Sequence, residues 1–255
     1  MSNPTAAILI IGNEILSGRT QDANIQFIAQ RLASLGIKLL EVRVVPDVPE
    51  RIVGAVNELR AAYTLLFTTG GIGPTHDDIT SECIAAAFGV PWEVHEETDR
   101  EMRTQMGERY NAARQRMATM PRGSTPIKNE ASVAPGFSIG NVHVMAGVPR
   151  IMQSMLLALE PSLPRGEAIQ MRSVYGIGVF EGSIAEQLAS IQGRFPQLDI
   201  GSYPFKRGGQ WGVALVAKGT DLPAIEAATL ESTNLIESQG ILPIQGEPPE
   251  AAALQ

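Results

Sequence analysis

The sequence predicts a three-layer α/β/α domain on a mainly parallel sheet, followed by a smaller α+β domain. Three observations carry that reading. The first hundred residues alternate strand-length apolar runs with stripes at helical spacing. Their order, β-α-β-α-β-α, requires crossover connections and therefore places a parallel sheet between helices. After Pro161–Gly166 (PSLPRG) the pattern changes to a short β-α-β-β-α run.

Ala6–Ile11 (AAILII) is apolar at every position, as in a strand buried on both faces. Ile25, Ile28, Ala29, Leu32 and Leu35 follow helical spacing, and Gly36 sits where a helix ends. Ile37–Val45 reads as the second strand; Ile52, Val53, Val56 and Leu59 mark the second helix. Tyr63–Thr69 is the third strand, and Ile79, Cys83, Ile84, Ala87 and Phe88 the third helix, stopped at Gly89. Met102, Met106, Tyr110, Ala113 and Met117 predict one amphipathic helix over Asp99–Met117. Phe137–Met145 is broken by Gly140-Asn141, a hairpin turn signal. Pro149 then suits the first turn of a helix carrying Ile151, Met152, Met155, Leu156 and Leu159. The expected divisions are a first domain over 1–165, a small domain over 166–246 and a loose tail over 247–255.

The composition narrows the function classes. A net charge of −7 argues against a generic nucleic-acid binder, which carries a basic excess. The single Cys83 and three histidines argue against a disulfide framework or a structural zinc site. No apolar run approaches the roughly 20 residues of a membrane span. With no targeting segment visible, a cytoplasmic location is expected.

The chemistry concentrates in Thr68–Asp78 (TTGGIGPTHDD), between the third strand and its helix. Gly70, Gly71 and Gly73 permit close backbone approach, so several N–H groups can converge on an anion. The loop has neither the lysine of a phosphate-binding P-loop nor dinucleotide-fingerprint spacing. Asp77 and Asp78 would repel a phosphate held there. A divalent cation can bridge them, or one carboxylate can accept from an amino-heterocycle. Alternatively, Asp77 or Asp78 simply caps the helix. Glu14 and Asn24 follow the first strand and Asp47 the second. If the three strands are parallel, these residues meet at the carboxyl edge of the sheet, where such folds bind ligands. Each also has an ordinary role open to it: Asp47 in a turn, Glu14 as a loop charge, Asn24 as a cap.

These residues resemble the MoaB/Mog molybdopterin-binding superfamily, and more closely the amino-terminal part of the CinA family. The matching stretches are Gly12-Asn13-Glu14-Ile-Leu-Ser-Gly18 with Asn24, Thr69–Thr80, Asn129 through Ala134-Pro-Gly-Phe137, and Gly147-Val148-Pro149. The resemblance implies a pterin or nucleotide bound at the glycine loop. The ligand-binding residues would be Gly12, Asn13, Glu14, Asn24, Thr69, Gly70, Gly71, Gly73, Pro74, Thr75, Asp77, Thr80, Pro135, Gly136, Gly147 and Pro149. It implies Asp47 and Asp78 as catalytic residues around a divalent metal (Mg, Mn or Co). It also implies hydrolysis of nucleotide pyrophosphates such as ADP-ribose, with a non-catalytic molybdopterin or nucleotide binding module as the alternative. A homo-oligomer is expected, with a small molecule rather than nucleic acid or membrane as its partner.

Overall fold

The computed structural model describes residues 3–249. The expected tail over 247–255 lies outside the described residues from residue 250 onward. The chain divides into two compact units, with the break between Gly166 and Glu167.

In the first unit β1 (Thr5–Ile11) leads through α1 (Asn13–Leu16) to α2 (Asn24–Ser34). Then come β2 (Lys38–Val45), α3 (Pro49–Ala62), β3 (Leu65–Thr69) and α4 (Thr80–Phe88). An excursion follows: β4 (Trp92–Val94), α5 (Glu96–Met106), α6 (Ala112–Gln115) and β5 (Thr119–Pro121). β6 (Thr125–Ile127), β7 (Gly136–Ile139), β8 (Val142–Met145) and α7 (Pro149–Leu159) complete the unit. The six-stranded sheet has the order β2-β1-β3-β8-β7-β6. β2, β1, β3 and β8 run parallel; β7 is antiparallel to both its neighbours.

β1 shows why the apolar run is continuous. Ala7, Leu9 and Ile11 face the cluster containing Ile52, Val56 and Leu59 of α3 and Ile84 of α4. Ala6, Ile8 and Ile10 face the opposite cluster, with Ile28 and Leu32 of α2 and Met152 and Leu156 of α7. Successive side chains of a strand point to opposite faces, so a central strand needs apolar residues at every position. Arg31 of α2 clamps Glu160 at the end of α7, with Nε 2.5 Å from Oε1, and the carboxylate raises the guanidinium pKa.

Two expectations are corrected. The helix predicted over Asp99–Met117 is broken at Gly107, which has φ +55. A short 3₁₀ turn and the four-residue α6 follow. Met102 is fully buried, whereas Ala113 is exposed, so the stripe does not continue as one face. Nor is Asp77 or Asp78 the cap of α4: the helix begins at Thr80 without a side-chain cap bond. The three-residue strands β4, β5 and β6 were not predicted; runs that short carry no readable periodicity.

His143 on β8 is buried against the Phe67 ring, 5.2 Å between centroids, with Nδ1 2.8 Å from Ser138 Oγ. Desolvation pushes its pKa from 6.5 down to about 4. The folded state therefore refuses a proton that the unfolded chain accepts. Stability is expected to be full above about pH 6.5 and to fall as pH drops towards about 4, by up to about 3 kcal/mol. Denaturant titrations of wild type and His143→Phe across pH 4–7 check this. The variant should lack that part of the loss, and equal pH slopes would contradict it.

The second unit is a separate antiparallel α+β fold. β9 (Gln170–Ile177), α8 (Glu181–Arg194), β10 (Asp199–Arg207), β11 (Gln210–Gly219), α9 (Leu222–Ser238) and β12 (Ile244–Gln245) follow in order. The strands assemble as β10-β11-β9-β12. Val174, Ile184, Leu215 and Ile236 lie at the centre of its core. Pro204, which cannot donate to a ladder, sits on the edge strand β10. Among the described residues of the whole chain, no helix is long and apolar enough to cross a membrane.

Candidate functional site

Four parallel strands end together. Ile11 pairs with Val45, Ile10 with Thr69, and Thr69 with Met145. Beyond the ladder Gly12 N donates to Val45 O at 3.2 Å and Gly70 N to Met145 O at 3.2 Å. The loops after β1, β2, β3 and β8 therefore leave from one edge of the sheet, as the sequence anticipates for a parallel arrangement.

The glycine loop is built from contacts that exclude side chains. Gly70 has φ +101, and a Cβ there would lie 2.1 Å from Ile11 O. Gly71 has φ +66, and its Cβ would lie 2.2 Å from Thr80 Oγ1. Thr80 is fully buried beneath the loop; its Oγ1 donates to Gly70 O at 2.9 Å and its N to Gly71 O at 3.0 Å. Gly73 makes room for a carboxylate, since its Cβ would lie 2.6 Å from Asp78 Oδ2. That oxygen accepts from Thr75 N at 2.8 Å and also from Thr75 Oγ1. Asp78 thus closes the turn back on Thr75 through Oδ2.

A cavity of about 560 Å³ opens above this loop. Of the sequence-predicted residues, Glu14, Gly70, Gly71, Gly73, Pro74, Asp78, Pro135, Gly147 and Pro149 line it. A smaller cavity of about 70 Å³ is lined by Asn24 and Thr69 and shares Glu14, Gly70, Gly147 and Pro149 with the larger one. Gly12, Asn13, Asp47, Thr75, Asp77, Thr80 and Gly136 line neither. Several of these support the walls instead. Asp47 Oδ2 accepts from Asn13 N at 2.8 Å, fixing the turn of α1 that carries Glu14. The Glu14 carboxylate folds over Gly12, where a Cβ would be 2.5 Å from Oε1. Gly136 lets β7 approach β8, since its Cβ would lie 2.2 Å from Val144 O. Asn24 does not cap α2. Asp22 does, its Oδ1 accepting from Asn24 N at 3.0 Å and Ile25 N at 2.8 Å.

The sequence reading missed the apolar wall. Met117, Ile151 and Met155 line the large cavity. Ile151 and Met155 are one helical turn apart on α7, directly after Pro149, so the i, i+4 spacing was a usable signal. Ser132 joins them from a loop with no periodicity to read. Among the described residues, no group of three or more His, Cys, Asp or Glu side chains converges as a ready-made metal cluster. Any ion at this edge would draw on one or two carboxylates together with oxygens of the ligand.

Comparison with known proteins agrees with this architecture. Residues 7–165 match the family described as "Probable molybdopterin binding domain", and residues 170–245 match the middle domain of FAD synthase. A CinA-like protein of Desulfovibrio desulfuricans is 34% identical over 232 residues, covering 87% of this chain and 54% of that protein. Another, from a Synechococcus species, is 33% identical and covers 75% of this chain and 49% of its own length. The chain thus spans about half the length of these two CinA-like relatives. A protein of Pyrobaculum calidifontis is 35% identical over 212 residues, with 79% and 81% of the two chains covered. The crystal structure of CinA from Thermoplasma acidophilum, described as of unknown function, aligns with a TM-score of 0.60 at 31% identity. It covers 64% of this chain and 99% of that one. With the glycine loop and the parallel sheet, these matches place the chain in the MoaB/Mog molybdopterin-binding-domain family, as a CinA-like member with a second domain like the middle domain of FAD synthase.

Proposed function

We propose that the first unit binds a nucleotide diphosphate compound at the glycine-loop edge and hydrolyses its pyrophosphate with a divalent metal ion, ADP-ribose being the model substrate. The observation that carries this reading is the mixed wall of the large cavity. Gly70–Pro74 of the glycine loop, the acidic Glu14 and Asp78, and the apolar Met117, Ile151 and Met155 all line it. A ligand with a charged phosphate part and a flat apolar part suits such a wall. The reaction class is the one that the motif resemblance to the CinA family implies.

Asp78 is the residue that would hold the ion (Mg²⁺, Mn²⁺ or Co²⁺), together with Asp47 or with Glu14, which lines the same cavity. The donor set fits a hard cation: all three are carboxylates, Asp78 commits Oδ2 to Thr75 while Oδ1 takes neither of those bonds, and Asp47 likewise commits only Oδ2 to Asn13 N. When bound, such an ion offsets pyrophosphate charge and lowers the pKa of an attacking water. Asp47 acts on the same edge by holding Asn13 and thereby the turn that carries Glu14.

The apolar wall also supports a second reading, a molybdopterin-binding module without turnover. Incubating the protein with ADP-ribose across titrations of Mg²⁺, Mn²⁺ and Co²⁺ separates the two. Metal-dependent release of AMP is expected. No AMP with any of the three ions, together with a pterin that co-purifies, would favour the binding module.

A further inference from the structure

The turn that carries Asp78 is reached by a side chain from far along the chain. Pro74, Thr75, His76 and Asp77 are exposed. The hydrogen bonds inside the turn are local. Thr75 N and Oγ1 donate to Asp78 Oδ2, Asp78 N to Thr75 O at 3.2 Å and Ile79 N to Asp77 O at 3.0 Å. Bonds of that kind travel with the turn and do not fix where it sits. Arg116 comes in from 38 residues away, its Nη2 donating to Asp78 O at 3.2 Å.

Arg116 opens the 3₁₀ turn Arg116–Ala118 and directly precedes Met117 of the large cavity. Its surroundings are unlike those of a surface arginine. Among the described residues no carboxylate pairs with it. Its Nε is buried without a hydrogen-bond partner among them, which costs the fold stability. The guanidinium lies over the Trp92 ring, with Cζ 5.1 Å from the centroid. Trp92 is itself fixed, its Nε1 donating at 3.0 Å to both Ser81 Oγ of α4 and Thr119 O of β5. The chain from Trp92 through Arg116 therefore ties the Asp78 main chain to α4 and β5. Asp78 is held twice, through its carbonyl and through Oδ2, and Oδ1 takes neither bond.

We propose that Arg116 is a positioning residue, fixing the Asp78 main chain so that the uncommitted Oδ1 is presented in one place to a divalent cation. This deepens the proposed function and rests on it for the cation. The Arg116 bond sets where the carboxylate is rooted, and the Thr75 bonds set how it is turned. With the first removed, the whole turn can shift while the second stays intact. Arg116 acts here only through Asp78.

Three variants test this. Arg116→Met keeps an unbranched apolar stem beside Trp92 and removes the guanidinium. Arg116→Lys keeps a cation and a donor. Arg109→Met removes a positive charge from an exposed site in the same excursion and controls for long-range charge. In metal-free protein, hydrogen exchange over Thr75–Ile79 should be faster in Arg116→Met and near wild type in Arg116→Lys. Melting temperatures should be nearly unchanged, because the lost contacts are offset by removal of the unmet Nε. Mn²⁺ binding, followed by electron paramagnetic resonance with ADP-ribose present, should weaken about tenfold in Arg116→Met. It should recover at least in part in Arg116→Lys and stay at the wild-type value in Arg109→Met. In an Asp78→Asn background Arg116→Met should weaken it little further. An undiminished effect in that background overturns the proposal, since Arg116 would then act on ion or ligand directly. Equal weakening in Arg109→Met, unchanged exchange and Mn²⁺ affinity in Arg116→Met, or a melting temperature that falls in both Arg116 variants also overturns it. AMP release is scored separately. Mn²⁺ binding that follows the expected pattern without AMP release leaves this assignment standing and removes the pyrophosphatase reading. AMP release by wild type with Mn²⁺ affinity unchanged in Arg116→Met does the reverse, and a wild type that binds no Mn²⁺ overturns both.

Discussion

Gly70→Ala is expected to destabilise the protein by at least about 3 kcal/mol, seen as a fall of roughly 6–12 °C in melting temperature. The new methyl group would meet Ile11 O at 2.1 Å, and it would do so at φ +101, where L side chains are strained. Neither party can yield cheaply. Ile11 ends a strand paired on both sides, and Gly70 N is tied to Met145 O. Gly54→Ala is the control. It lies inside α3 with open space around the added methyl, so it should be neutral or stabilising by about 0.5–1 kcal/mol. A Gly70→Ala protein that melts with wild type would mean that the close crossing of the loop over β1 is not a constraint of the fold.

Asp78→Asn is expected to lower metal-dependent hydrolysis by about tenfold or more while leaving the melting temperature nearly unchanged. Even losses one shell away from a catalytic metal reach about 10–100-fold. The fold should survive because an amide oxygen can still accept from Thr75 N and Oγ1, the bonds that close the turn. Asp78→Ala removes that acceptor and should lose both activity and stability. Asp47→Asn should cost less than Asp78→Asn, since its amide oxygen can still take the Asn13 N–H. If Asp47 instead shares an ion with Asp78, the two changes should be similarly severe and less than additive together. Rates across a Mn²⁺ titration, with melting curves alongside, decide among these outcomes. Wild-type rates and metal response in Asp78→Asn would remove Asp78 from the site.

The central architecture was legible because its signals are local. Ala6–Ile11 has to be apolar throughout when both faces are covered, and Gly140-Asn141 supplies the hairpin turn between β7 and β8. The glycine loop stood out because Gly70 and Gly71 are demanded by backbone geometry. What escaped was set by distant partners. Nothing near Gly107 in sequence says that the helix must stop there, since glycine inside a helical stripe is tolerated at modest cost. The roles of Asp47 and Asn24 depend on Asn13 and Gly147, 34 and 123 residues away respectively. Sequence spacing alone brought these residues to the right edge. It could not distinguish the residues that line a cavity from those that hold its walls, because that depends on side-chain directions fixed only after β1, β3 and β8 are paired.

The order of those pairings has a consequence for synthesis. β8 sits beside β3 in the sheet, but the excursion from β4 to β7 separates them along the chain. A growing chain that has left the ribosome only as far as Gly140 already contains the glycine loop and its carboxylates. It lacks the Met145 carbonyl that receives Gly70 N, the Gly147 carbonyl that holds Asn24, and the Met155 wall. Closing so long a loop is slow relative to forming the local β-α units before it. The cavity is therefore completed late in the life of the nascent protein, its last strand and helix closing onto β-α units that are already in place.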